Sequence, residues 1–290
     1  MLEFIQHCCN GLIIGGAYAL IGVGMTMVLG IMRVINFAHG EFYMLGAYLC
    51  FSMATMLGVN FFIAFSLAVL GIGVVGCLVE RIVLKPLRGR ELNTNMLAMI
   101  GVSIALSNIA LLIWGAVPQA IASPFVAANL EFEGLSFTPF RLFICATALV
   151  IIIGVHMLIK YTMSGKGVRA SFQDMEMASM LGVRVDRVFP LTFGTGAAMA
   201  AVAGILLGVM FSLKPTMGEF AVSRAFAVVI LGGMGSFSGA IAGGLILGLS
   251  ENLAAAYIST GFKDAIAFML IVAILIFKPN GLMAVKVNKK

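Results

Sequence analysis

The sequence predicts an all-α fold: a polytopic membrane protein of about 8–9 transmembrane helices, some short or broken, with the N-terminus outside and the C-terminus cytoplasmic. Three observations carry that prediction. Of 290 residues, 61% are hydrophobic and 10% charged, with mean hydropathy +1.11; soluble domains run at about 45–50% apolar and about 25% charged. So few charges cannot clothe the surface of a soluble protein of this length. Apolar runs near the length a bilayer requires recur along the chain, and the basic residues concentrate in alternate loops.

The runs lie at about 11–31, 42–58, 61–79, 94–114, 142–159, 191–212, 221–234, 240–258 and 264–277, judged against the roughly 20 apolar residues that cross a hydrocarbon core. The run at 221–234 is short and carries Arg224, which suits a half-helix covered by protein. The first run lacks a basic leader and a small-residue cleavage site, so it is expected to be a retained span. Arg33, then Arg81, Lys85, Arg88 and Arg90, then Lys160, Lys166, Arg169, Arg184 and Arg187, then Lys278, Lys286, Lys289 and Lys290 make up 14 of the 18 basic residues. Nine spans place all of them on one side, which the positive-inside rule makes cytoplasmic. The net charge of +6 is therefore a topology signal, and nucleic acid is not expected as a partner. Residues 1–290 read as a single transmembrane domain. A cytoplasmic loop is expected at about 160–190, and an external loop at about 115–141 carries Glu131, Glu133, Pro118, Pro124 and Pro139.

Between the first two runs, Asn36-Phe37-Ala38-His39-Gly40-Glu41 places amide, imidazole and carboxylate in apolar surroundings. Charge placement puts the stretch at the cytoplasmic end, with Arg33 anchoring it and Gly40 permitting the chain reversal. His39 has no histidine partner four residues on, which argues against a metal. The polar groups either satisfy backbone atoms at a tight turn or line a path. The 160–190 loop is long for a connection between spans. Ser164 and Gly165 form its opening turn, a helix is expected from about 168 to 181, and Gly182 occupies the left-handed cap position. Val168, Phe172, Met175 and Ser179 fall on one face, so the helix either rests on lipid or docks a partner.

Other chemistry is constrained by what is missing. The five cysteines, Cys8, Cys9, Cys50, Cys77 and Cys145, show no paired spacing and imply neither a disulfide framework nor a metal site. Ser164-Gly165-Lys166-Gly167 lacks the upstream glycine and following Ser or Thr of a phosphate-cradling loop, and residues 232–239 carry Ser238 where a dinucleotide fingerprint needs glycine. Energy must come from a partner or an ion gradient. An ion-coupled secondary transporter or channel is the rival class; it would leave ionisable groups deep in the spans, and only Glu41, Glu251 and His156 qualify. No span contains an aspartate pair for an embedded protease. Gly11 with Gly15, Gly204 with Gly208, and Gly235, Gly239 and Gly243 place small residues every fourth position for close helix approach, within the chain or against a second one.

Three stretches together carry a resemblance: INFAHGEFYMLGAY at 35–48, RASFQDMEMASMLGVRVDRV at 169–188 and VVILGGMGSFSGAIAGGLILGLSE at 228–251. From about Gly11 to Leu282 the chain resembles the permease subunits of Liv-type high-affinity branched-chain amino acid ABC importers. Within the second stretch, Glu176, Ala178 and Gly182 match the E-x-A-x3-G coupling motif of such permeases, with Met177 replacing the usual second alanine. The resemblance implies a multi-pass permease of the bacterial inner membrane that pairs with a second related permease and receives solute from a periplasmic solute-binding protein. Two cytoplasmic ATPase subunits would bind the ATP and Mg, none being bound by this chain. It places ATPase coupling on Arg169, Asp174, Glu176, Ala178 and Gly182. Asn36, Phe37, His39, Glu41, Gly233 and Gly235 are expected to form the translocation path or gate, because broken helix ends solvate a zwitterion without fixed charge.

Overall fold

The structure is a computed structural model that describes residues 1–125, 130–132 and 135–283. Glu133, Lys286, Lys289 and Lys290 lie outside the described residues. In chain order the helices are α1 (Leu2–Met32), α2 (His39–Phe51), α3 (Phe61–Val79), α4 (Leu92–Trp114), α5 (Pro139–Tyr161), α6 (Met163–Gln173), α7 (Met175–Met180), α8 (Val185–Met210), α9 (Met217–Gly232), α10 (Phe237–Tyr257) and α11 (Lys263–Phe277). Every apolar run carries a helix. Six, counting α3 with its continuation to Leu87, are long and apolar enough to cross a membrane. α2, α9 and α11 are shorter at 13, 16 and 15 residues. A two-stranded antiparallel hairpin, β1 (Leu130–Phe132) with β2 (Leu135–Phe137), precedes α5.

α1 and α8 are the core of the bundle: 78% of the apolar window is buried in each, against 11% in α4 and in α5. Lipid tails are as apolar as leucine, so helices associate in a membrane through close packing, and glycine supplies it here within the chain. A Cβ on Gly11 would lie 2.8 Å from the Leu249 Cα, and one on Gly15 would lie 2.9 Å from the Leu245 Cα, so the first glycine pair seats α1 on α10. A Cβ on Gly204 of α8 would overlap the Tyr43 carbonyl of α2, and one on Gly243 would lie 2.6 Å from the Val228 carbonyl oxygen.

The C-terminal ends of α1, α3, α5 and α9 meet the N-terminal ends of α8 and α10 at one end of the bundle. Arg88 pairs with Glu80 and, at 2.7 Å, with Asp186; Arg169 donates to the Lys160 carbonyl; the Leu282 amide donates to the Leu231 carbonyl. The exposed basic residues Arg33, Arg81, Lys85, Arg90, Lys166, Arg184 and Arg187 stand at this end.

Candidate functional site

α1 ends at Arg33, which adopts the left-handed conformation (φ 52, ψ 29) and caps the helix by donating to the Leu29 carbonyl. Residues 33–38 then climb back along the bundle instead of turning at its end. The result is that His39 Nε2 sits 3.1 Å from the Ile21 carbonyl oxygen, to which it donates when protonated there. Ile21 precedes Met32 by 11 residues, about 16 Å of helix at ~1.5 Å per residue, so α2 begins mid-bundle. This corrects the expected cytoplasmic turn. Gly40 is helical and is not the reversal; it is small because its Cβ would overlap the Gly218 carbonyl of α9. Turn chemistry and close packing both select glycine, and only the tertiary contact tells them apart.

α9 also starts at this level. It runs from Met217 to the basic end, whereas α2 runs the opposite way, to where Tyr48 stacks on Trp114. Two broken helices thus abut by their N-termini, whose unbonded N–H groups make each a positive pole. Asn36 and His39 are fully buried and Glu41 is 3% exposed. The Glu41 carboxylate accepts from Ser103 Oγ of α4 at 3.1 Å, and its oxygens lie 2.7 Å from where a Gly218 Cβ would be. Asn36 Oδ1, His39 Nδ1 and Glu41 Oε2 have no hydrogen-bond partner among the described residues. Phe37 packs on Phe226 of α9, ring centroids 5.4 Å apart.

Gly233 and Gly235 are not part of this centre. Both have positive φ, 101° and 82°, and they turn the chain from α9 to α10 at the basic end. The Phe172 ring covers Gly235, and Gly281 backs Gly233.

The 160–190 loop folds as two helices. Asp174 adopts φ −154 and ψ 113, ending α6, and its Oδ1 accepts from the Glu176 and Met177 amides at 3.0 Å each, starting α7. The single helix expected over 168–181 is therefore broken, because an aspartate side chain competes for the backbone N–H groups of the next turn. The opening also differs: Thr162 is the N-cap, accepting from the Gly165 amide, and Ser164 and Gly165 lie inside α6. Gly182 (φ 88) follows α7 with Gly182 N–H to Ser179 carbonyl and Val183 N–H to Ala178 carbonyl, both 3.0 Å. That pair of bonds is a Schellman cap, which favours glycine. Val168 and Phe172 pack on Ile31, Val188 and Phe189, while Met175 and Ser179, beyond the kink, are exposed. Ala178 is buried, Glu176 and Arg169 are exposed, and Met177, Met180 and Leu181 are 59%, 80% and 85% exposed.

The opposite half of the bundle holds a cavity of about 360 Å³ beside the start of α9. Behind it Arg224 Nε donates to Glu251 Oε1 at 3.2 Å and Tyr18 donates to Glu251 Oε2 at 2.8 Å. The Arg224 guanidinium stacks 3.3 Å from the Phe220 ring centroid.

A family model described as the permease component of the branched-chain amino acid transport system matches residues 8–275. This chain belongs to that permease family. The high-affinity branched-chain amino acid transport system permease protein LivH of Escherichia coli (strain K12) is 38% identical, over 97% of this chain and 96% of that protein. BraD, a permease protein of the same description from Pseudomonas aeruginosa, is 34% identical at the same coverage. The probable LivH of Methanocaldococcus jannaschii is 27% identical over 97% of this chain and 92% of its own. In fold, the permease is similar to a chain of PsaBC from Streptococcus pneumoniae solved with a Fab (TM-score 0.54, 12% identity, 98% and 93% covered).

Two features of this multi-pass permease escaped the sequence. The Arg224–Glu251–Tyr18 network was signalled by two opposite charges in separate apolar runs, since ionisable groups in spans pair with one another. The exposed Met177, Met180 and Leu181 were hidden by the expectation of one continuous amphipathic helix.

Proposed function

We propose that this permease is the membrane subunit of an ATP-binding cassette importer that carries branched-chain or related amino acids across the bacterial inner membrane. The observation that carries the reading is the α7 knob. Three large apolar side chains are exposed at the basic end of the bundle, on a turn held by the Asp174 and Gly182 caps and based on α6. An apolar surface so exposed, on a rigid support, suits a groove on a partner. The partners are two cytoplasmic ATPase subunits that bind the ATP and Mg, because no phosphate-cradling loop is present in the sequence. A second related permease and a periplasmic solute-binding protein complete the importer. Nine spans, the N-terminus outside and the basic end in the cytoplasm accord with this arrangement. The opposed N-termini of α2 and α9, with Asn36, Phe37, His39 and Glu41, form the gate or path wall for a zwitterionic solute.

The test is Met180→Asp with Leu181→Asp in the co-expressed complex. Both side chains are exposed, so insertion is unaffected, while ATPase co-purification and ATP-dependent uptake are lost. Normal co-purification and normal uptake in this variant would reject α7 as the docking element. Uptake that persists without ATP and collapses with a protonophore would instead establish an ion-coupled carrier.

A further inference from the structure

Two grooves flank α8 at the basic end of the bundle, and each is charged at its mouth and apolar farther in. The larger, about 1090 Å³, lies between α8, α5 and α6, with Lys166, Arg184 and Arg187 at its mouth and Val155, Leu158 and Leu191 along its wall. It follows α8 inward from Arg187 to Thr195, about 12 Å of helix at ~1.5 Å per residue. The smaller, about 410 Å³, lies between α8 and α3; Arg81, in the continuation of α3, stands at its mouth with Arg187, and Val74, Leu78 and Leu191 line it. Arg187 and Leu191, one turn apart, thus form the ridge between the two grooves. All four cations are exposed; among the described residues none of them makes an ion pair, and no carboxylate lines either groove. The carboxylates beside them in sequence are already engaged, Asp186 by Lys85 and Arg88 and Glu80 by Arg88. Like charges gathered at adjoining mouths favour an anion, and arginine presents a fork of N–H donors matched to phosphate. The walls are open as well: Leu158 and Leu191 are 47% and 50% exposed. α5 ends in the exposed Tyr161 beside Lys160, and tyrosine marks the boundary between hydrocarbon and headgroups.

We propose that this pair of grooves binds an anionic phospholipid, its phosphate held at Arg187 among Arg184, Lys166 and Arg81, and its two acyl chains lying on either side of Leu191. Basic pockets between transmembrane helices hold anionic headgroups in this way. A free phosphate would leave the apolar walls bare, and a protein segment reaching into them would carry backbone polar groups that hydrocarbon cannot satisfy. The bound lipid joins α5 and α6 to α8 and so steadies the base of the α7 knob, whatever solute the permease carries.

The test is native mass spectrometry of the delipidated full-length permease, purified with its co-expressed subunits and titrated with dioleoyl phosphatidylglycerol or dioleoyl phosphatidylcholine. Phosphatidylglycerol is expected to bind about tenfold more tightly than phosphatidylcholine, and Arg184→Gln with Arg187→Gln to bring it down to the phosphatidylcholine level. Lys166→Gln and Arg81→Gln are each expected to weaken phosphatidylglycerol binding alone, which keeps the test open should the double variant not assemble. Arg90→Gln removes an exposed cation at the same end but outside both grooves, and is expected to leave the affinity unchanged. Glycerol phosphate, which has the phosphate without acyl chains, is not expected to compete. Equal affinity for the two lipids, unchanged phosphatidylglycerol binding in the groove variants, an equal loss in Arg90→Gln, or competition by glycerol phosphate overturns the site. A double variant that sheds a protein subunit while keeping full phosphatidylglycerol affinity makes this face a protein-docking surface instead, and overturns it too.

Discussion

Removing the Glu251 carboxylate tests the buried network most directly. In Glu251→Ala, the Arg224 guanidinium, 5% exposed in the parent, loses its 3.2 Å carboxylate contact, and the Tyr18 hydroxyl loses its 2.8 Å acceptor. Breaking a buried ion pair from one side costs about 3–5 kcal/mol. The Phe220 ring, 3.3 Å from the guanidinium, offsets part of this, since a desolvated cation–π contact contributes about 2 kcal/mol; the net is about 1–3 kcal/mol. At about 2–4 °C per kcal/mol for a chain of this size, the transition falls by ~2–12 °C. Arg224→Met with Glu251→Ala removes both charges and is expected to recover at least half of the loss. The assay is the thermal transition of the purified complex in nanodiscs, with Ser223→Ala as control, because Ser223 is exposed and among the described residues bonds only to the Glu219 carbonyl one turn back. If the double variant melts at or below the sum of the two single losses, the pair is uncoupled and the reasoning fails.

Gly40→Leu forces a side chain into the Gly218 carbonyl, and overpacking of this kind costs about 1–3 kcal/mol or more; reduced yield of assembled complex on size exclusion is expected, and normal yield would contradict the α2–α9 contact. Asp174→Ala deletes the α7 cap, worth about 0.5–2 kcal/mol, and is expected to lower ATPase stimulation while the permease inserts normally, with Asp174→Asn retaining most of it. Alanine at both Asn36 and Glu41 is expected to abolish uptake in a correctly assembled complex, and unchanged uptake would remove these residues from the path. Asp186→Asn loses two ion pairs made by a solvent-exposed carboxylate, which water and salt screen, so its melting temperature is expected to match the parent within a few degrees in a thermal-shift measurement.

Much of the architecture was legible in the residues because lipid is an unforgiving solvent. Long apolar runs must be helical when no water is present to satisfy the backbone, so all nine runs are helices. Glycines four apart must let backbones approach, and they do so inside this chain. The Gly182 cap was legible too, because a left-handed position selects glycine locally. At Asp174 the local rule that matters is the aspartate's competition for backbone N–H groups, which outweighed the amphipathic spacing of Val168, Phe172, Met175 and Ser179.

By itself the sequence determined the solvent, the helices, the side that carries the basic charge and the absence of a nucleotide loop, because each follows from composition or local spacing. The tertiary structure alone decided that residues 33–38 climb to Ile21, that α2 and α9 meet by their N-termini, and that Arg224, Glu251 and Tyr18 share one network. Those contacts join residues far apart in the chain, such as the 233 positions from Tyr18 to Glu251. The physical reason is that a glycine or a lone charge states only that something must lie close to it, and the packing of other helices supplies what that something is.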